Sequence, residues 1–68
     1  YGVSGKHQEA IESFKQAIRI DPDDAVVHYS LGLAYHYSSD SDSALEQYKI
    51  LKSLDPSLAN KLVDIIYK

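Results

Sequence analysis

The stretch AVVHYSLGLAYHYSSDSDSALEQYKILKSLDPSL, residues 25–58, decides the fold of this chain. Aligning the sequence with itself at a shift of 34 residues pairs residues 1–34 with residues 35–68, and 8 of the 34 pairs are identical. Ordinary residue frequencies give about 2 identities by chance. The chain therefore contains a repeat, and a repeat of this length is one supersecondary unit that stacks on its neighbours.

Apolar residues recur every three or four positions between polar breaks, and this spacing predicts helices. The predicted helices lie near residues 6–20, 24–37, 41–54 and 57–68. No stretch alternates apolar and polar residues between turn residues, as a strand would. The predicted fold class is therefore all-α.

Polar and turn-forming residues mark the ends of these helices. Asp21-Pro22 and Asp55-Pro56 occupy equivalent places in the repeat. Asp caps a helix N-terminus and Pro suits the first helical position, so each pair is predicted to end one helix and to begin the next. Gly5 and the polar run 38–42 are the other predicted breaks.

Composition limits the classes of protein to which the chain can belong. Ten acidic and seven basic residues give a net charge of −3, whereas nucleic-acid binding requires clustered basic residues. The absence of cysteine excludes disulfides and thiolate zinc sites. No apolar run is long enough to span a bilayer. Because the sequence begins with Tyr1 and contains no Met, we expect it to be part of a longer protein. The compartment stays open, with the cytoplasm favoured.

The residues that recur within the period point to a known family. Leu31-Gly32, Tyr35, Ala44, Tyr48 and Pro56 stand where the tetratricopeptide repeat has its signature residues, so the chain resembles that family along its whole length. The resemblance implies antiparallel helix pairs stacked as a short right-handed superhelical solenoid. It also implies a non-catalytic function in protein–protein interaction.

The resemblance divides the chain into units. Residues 25–58 correspond to one full repeat, residues 1–24 to the second half of the preceding repeat, and residues 59–68 to the first helix of the next one. In that last helix Ile66 takes the place of the small residue that lets a second helix approach. The last helix is therefore expected to be a terminal cap.

Side-chain sizes within the full repeat predict how its helices pack. Gly32 and Ala44 are small, so the two helices of the repeat are expected to cross closely at these positions. Tyr35 and Tyr48 are expected to fill the gaps beside them. His28 stands where the family has an aromatic residue, and we expect it to pack in the core in that residue's place.

The resemblance implies a concave groove that binds a protein partner. Helical geometry supports such a groove on the second helix, because positions 26, 29, 33 and 37 step by three and four and therefore lie along one side of the helix. The groove residues implied are Val26, Tyr29, Leu33, His36 and Tyr37 in the second helix and Asn60, Val63 and Tyr67 in the last. This apolar and aromatic lining suits an extended peptide or a helix.

Alternatives to this interpretation stay open. The family's carboxylate clamp of Lys and Asn is absent, because Tyr29 and Leu33 occupy its places. Tyr29, Leu33 and Tyr37 either contact a partner or pack on a neighbouring repeat that is missing from this sequence. A structural function is the second candidate, in which residues 59–68 of one chain and residues 1–24 of another complete a repeat and form a homo-oligomer. The acidic charge disfavours helix-turn-helix DNA binding.

No pattern in the sequence indicates catalysis, a metal or a cofactor. His28 and His36 lie eight residues apart, which is about 12 Å along one helix. The acidic run that begins at Asp40 has Leu45 and Leu51 where a calcium loop needs Gly and Glu. No Gly-x-Ser-x-Gly motif or glycine-rich phosphate loop occurs. We therefore expect no catalytic residue, no metal ligand and no cofactor.

Overall fold

The chain folds into four helices joined by short turns. The computed structural model describes the backbone of residues 2–67 and the side chains of residues 7–67. The helices are α1 (Gly2–Ile20), α2 (Ala25–Tyr37), α3 (Ser41–Leu54) and α4 (Pro56–Ile66). No strand occurs within residues 2–67, so the predicted all-α class is confirmed. Tyr1 and Lys68, the outer ends of the two predicted partial repeats, lie outside the described residues.

The start of α2 corrects one prediction. Asp24, not Asp21, caps this helix, and its carboxylate accepts hydrogen bonds from the backbone N–H groups of Val26 and Val27 at 3.1 and 3.3 Å. Asp21 begins a turn instead, because its carbonyl oxygen accepts from the N–H of Asp24 at 3.3 Å. Pro22 occupies the second position of that turn, where its fixed φ is favoured.

The equivalent Asp-Pro pair at the start of α4 behaves as predicted. The carboxylate of Asp55 accepts from the N–H groups of Ser57 and Leu58, and Pro56 is the first residue of the helix. The two pairs differ because the repeat places Leu58 where the first pair has Asp24. The first unit therefore has a second capping residue, Asp24, three positions after Asp21, and the other unit has none at the equivalent position.

The outer ends of α1 and α4 also differ from the prediction. The first helix begins at Gly2, so Gly5 lies inside it and does not break it. A single Gly costs a helix only about 1 kcal/mol relative to Ala, and neighbouring residues with helical preference offset that amount. The last helix ends at Ile66, where the N–H of Tyr67 donates to the carbonyl oxygen of Val63.

Two apolar clusters hold the helices together. The first joins α1 to α2 through Ile11, Leu31 and Ala34. The second joins α3 and α4 to α2 and is built on Leu51, Ala59 and Leu62. Half-buried side chains complete the clusters: Phe14, Ile18 and Tyr35 in the first, and Ala25, Tyr29, Leu33, Tyr48, Leu58 and Ile66 in the second.

A side chain at Gly32 would meet α4 before α3. A Cβ atom at this position would lie 2.6 Å from Cδ2 of Leu62 and 3.4 Å from Cβ of Gln47. The prediction that Gly32 permits a close approach is therefore correct, but the nearest neighbour belongs to α4 rather than to α3. The absence of a side chain at position 32 therefore matters more for the packing of α2 on α4 than for its packing on α3.

The four helices form a flat body measuring 34 × 31 × 15 Å. Its thin dimension is little more than one helix diameter of about 10–12 Å. Much of each helix therefore faces solvent on one broad side or the other. Within the described residues, no helix is both long and apolar enough to cross a bilayer.

We expect Ala44→Leu to destabilise the fold by about 1–3 kcal/mol, because overpacking a tight helix crossing forces side chains and backbone to shift. Ala44 is completely buried, whereas its repeat equivalent Ala10 is only half-buried. Ala10→Leu is the matched control and should cost less. Urea denaturation of both variants measures the difference, and equal midpoints would contradict the packing of α2 against α3.

Candidate functional site

Helix α2 is the centre of the fold, since α1, α3 and α4 all pack against it. Successive helical residues project about 100° apart. Leu31 and Ala34 point towards α1, and Gly32 points towards α4. The remaining direction leaves Val26 and Tyr37 exposed at 64% and 60% of their surface. These two residues, together with half-buried Ser30 between them, form what we call the α2 stripe.

The α2 stripe belongs to a helix without charged side chains. The 13 residues of α2 include no Asp, Glu, Lys or Arg. A helix that faces water on one side usually carries charged or polar residues there. A contiguous exposed apolar surface is typical of an interaction site, and half-buried Leu33 lies between Val26 and Tyr37 along the helix. The stripe is therefore the leading candidate for a functional surface.

The structure divides the predicted groove residues of α2 into two groups. Tyr29 and Leu33 are half-buried and pack against the cluster that contains Ala59 and Leu62 of the next unit. The neighbour they pack on is α4 of this same chain, whereas contact with a partner or with a repeat outside the given sequence stays a prediction. Tyr37 belongs to neither cluster and remains available to a partner.

The predicted groove residues of α4 continue the surface beside α2. Asn60 is exposed and Val63 is half-buried. Tyr67, which follows the last helical residue, is 71% exposed. Because α4 packs directly against α2, the two helices present one uneven surface. The described residues enclose no pocket, so a ligand on this surface would lie along it.

Three aromatic rings meet at the C-terminal end of the α2 stripe. The ring of His7 in α1 stacks on the ring of Tyr37 at a centroid distance of 6.4 Å and an interplanar angle of 23°. The ring of His36 is tilted by 53° to that of Tyr37, with 5.3 Å between the two centroids. Its Nδ1 atom is buried without a hydrogen-bond partner in the described part of the chain. The predicted place of His36 beside the groove is consistent with this cluster.

His28 has a structural position in the core. It is only 3% exposed, as expected for a residue that replaces an aromatic side chain. Its Nε2 lies 2.8 Å from the carbonyl oxygen of Pro22, and its Nδ1 lies 2.7 Å from Oε1 of Gln47. The Pro22 carbonyl can only accept, so Nε2 must donate. His28 thereby connects the turn after α1 with α2 and α3.

Gln47 completes this network for either state of the ring. Its oxygen accepts from a protonated Nδ1, and its NH₂ group donates to an unprotonated Nδ1 once the amide is turned over. Both ring nitrogens are therefore occupied by protein groups. No group of three or more His, Cys, Asp or Glu that could hold a metal ion occurs within the described residues.

The first part of the sequence matches a known protein family. The sequence matches the family model of the TPR repeat over residues 4–39, which is 36 of its 68 residues. The chain belongs to the tetratricopeptide repeat family. TPR repeats generally mediate protein–protein interaction. The matched segment ends before α3, so the repeat boundaries at residues 25–58 stay a prediction. Comparisons with curated proteins and with solved structures gave no match.

Two contacts of this TPR chain escaped the sequence analysis. His7 stacks on Tyr37 from another helix, and Gln47 binds His28. The repeat pairs His7 with Ser41 and Gln47 with Ser13, so neither residue recurs in the period. The one available signal for Gln47 was the polarity of His28, because a buried imidazole requires partners.

We expect His28→Leu to destabilise the protein by about 1–3 kcal/mol, because it leaves the Pro22 carbonyl and the Gln47 amide without a buried partner. Leu is the residue at the repeat-equivalent position 62, where it is also buried. The double variant His28→Leu/Gln47→Leu removes both side-chain partners and should recover part of the loss. Thermal denaturation compares the three proteins, and a single variant as stable as the wild type would refute this role of the network.

Proposed function

We propose that this chain is a non-catalytic protein-interaction module whose α2 stripe, together with the adjoining surface of α4, binds a peptide or helix of a partner protein. One observation carries the proposal. Val26 and Tyr37 remain exposed on a helix without charged side chains, although three other helices pack against that helix. Partner binding would remove this apolar surface from water.

Each part of the surface has a distinct role in this proposal. Tyr37 and Tyr67 serve as anchors, because exposed tyrosines bury a large ring and keep a hydroxyl for hydrogen bonding. Tyr29 and Leu33 form the floor beneath them and are already held by the second cluster. Asn60 lies at the polar rim, where a side-chain amide can pair with a peptide backbone.

A protein partner suits this surface better than a nucleic acid or a small molecule does. The net charge of −3 opposes binding to phosphate groups. A small-molecule site is usually concave and surrounds most of its ligand, whereas the α2 stripe is open. The lining is aromatic and apolar, which matches helix-in-groove and extended-peptide recognition.

We expect Tyr37→Ala to weaken binding by about 1–2 kcal/mol, because aromatic anchors dominate the energy of protein interfaces. The probes are short peptides selected from a random phage-displayed library against the immobilised chain. Tyr37 is 60% exposed and belongs to neither core cluster. Its removal loses mainly the stacking on His7 and should lower the free energy of unfolding by about 1 kcal/mol or less. Calorimetric titration and thermal denaturation measure the two quantities.

Tyr48→Ala is the matched control, since it removes the same side chain from a core position. Tyr48 packs against the second cluster, and the ammonium of Lys52 lies 5.6 Å from its ring centroid. This variant should lower stability and leave the affinity of the folded fraction unchanged. The proposal is wrong if Tyr37→Ala binds the selected peptides as tightly as the wild type, or if it unfolds the chain as Tyr48→Ala does.

Self-association is a second candidate function, and it is supported by a difference in burial between equivalent positions. Ala44 and Leu51 of α3 are fully buried, whereas their equivalents Ala10 and Ala17 of α1 are half-buried. Helix α1 thus retains apolar surface that a second copy of the chain could cover, with residues 59–68 of one copy meeting residues 1–24 of the other. Repeat units gain stability from such neighbours.

Under this second candidate, the 68-residue chain should dimerise or form longer assemblies as its concentration rises. Sedimentation velocity over a range of concentrations measures the association. Ala17→Glu introduces a charge into the open face of α1 and should abolish association without loss of helicity, because an unpaired buried charge is costly. A chain that is folded and monomeric at every concentration would exclude this function and leave peptide binding unaffected.

A further inference from the structure

The partner of the α2 stripe has a definite charge pattern. We infer that it is a segment with an apolar centre and with Lys or Arg residues at both ends, which reach the acidic turns before and after α2. The inference rests on the proposed function, because it names the chemistry of the segment that the stripe binds. It is carried by the distribution of charge around α2.

Charge is distributed unevenly along the chain. Residues 21–42, which contain α2 and the turns on either side of it, include five Asp and no Lys or Arg. All seven basic residues of the chain lie before residue 21 or after residue 42. Because α2 itself has no charged side chain, the acidic groups stand at the two ends of an uncharged surface. They are Asp21, Asp23 and Asp24 before the helix and Asp40 and Asp42 after it.

These aspartates differ in how freely they can meet a partner. Asp24 and Asp40 cap α2 and α3, and their carboxylates accept backbone N–H groups at the helix starts. The positive end of each helix dipole offsets part of their charge. Asp23 and Asp42 cap no helix and are exposed. One uncommitted carboxylate therefore lies in the chain just beyond each end of α2.

The C-terminal end of the stripe favours a cation for two further reasons. The last carbonyl groups of α2 give this end of the helix a partial negative charge. The ring of Tyr37 is 60% exposed, and an ammonium or guanidinium group within about 6 Å of an aromatic face is attracted to it. A Lys or Arg of the partner would thus meet a tyrosine ring, a helix C-terminus and the acidic turn together.

The length of α2 sets the spacing of the partner's charges. Its 13 residues extend for about 20 Å at 1.5 Å per residue. An extended segment covers this distance with about six residues, and a helical one needs about 13. The apolar centre of the segment accounts for contact with the α2 stripe between its two ends, and the basic ends account for contact with Tyr37 and the acidic turns, for orientation and for the rate of encounter.

Peptides selected from the random library against the immobilised chain provide the test. We expect the selected sequences to be enriched in Lys and Arg at both ends and depleted in Asp and Glu. Synthetic versions with the terminal Lys and Arg replaced by Gln should bind about three to ten times more weakly at low salt. Raising the ionic strength to about 0.5 M should remove most of this difference, because it screens exposed charges.

Two double variants of the chain locate the effect. Asp23→Asn/Asp42→Asn should weaken binding of the basic peptides about three- to tenfold. Glu12→Gln/Glu46→Gln changes the net charge equally, at exposed positions in α1 and α3, and should alter affinity by less than about twofold. Equal effects of the two variants, or selection of neutral or acidic peptides that bind through Tyr37, would overturn the inference and leave the proposed function standing. Failure to select any peptide would overturn both.

Discussion

The contact between Gly32 and Leu62 is the constraint on which the arrangement of the helices depends. Leu62 fills the space that a side chain at position 32 would occupy, since a Cβ atom there would lie 2.6 Å from its Cδ2. This contact brings α4 against α2 and lets Leu51, Ala59 and Leu62 form one buried cluster. With α1 on another side, α2 is the only helix that contacts all three others within the described residues. The exposed stripe is what remains of α2 once these contacts are made.

The repeat predicted the number, type and order of the helices, because apolar spacing and helix-ending residues recur with the period. It did not predict local competition between caps. Asp21 and Asp55 occupy equivalent positions in the repeat, yet only Asp55 caps a helix N-terminus. The first unit offers a second capping residue, Asp24, which caps α2 instead. Gly5 shows the same limit, since it lies inside α1 although glycine often marks a helix end. Such outcomes depend on differences in helix-forming and capping free energy of a few tenths to about 2 kcal/mol between neighbouring residues.

The sequence predicted which helix carries the candidate site, but not which residues of that helix remain exposed. Helical spacing placed Val26, Tyr29, Leu33 and Tyr37 on one side of α2. The structure separates Tyr29 and Leu33, which pack against the second cluster, from Val26 and Tyr37, which are exposed. Spacing alone does not say how closely a neighbouring unit approaches. Leu62 and Ala59 take up the edge of the stripe that holds Tyr29 and Leu33, and they leave Tyr37 free. The ring of His7 then stacks on Tyr37 from α1, which no periodic pattern indicates.

Only some of the acidic residues around α2 are required for folding, and the others remain available for the recognition that we propose. A helix start needs an acceptor for its free N–H groups, so Asp24 and Asp40 are explained by capping alone. Asp23 caps nothing, and Asp42 adds only a favourable charge to the first turn of α3. Capping also does not explain why residues 21–42 lack any basic residue, when helices α1, α3 and α4 each contain at least one. The excess of negative charge at both ends of an uncharged helix is thus larger than the fold demands. It acts over roughly a Debye length of about 8–10 Å, far enough to orient an approaching segment before any apolar contact forms.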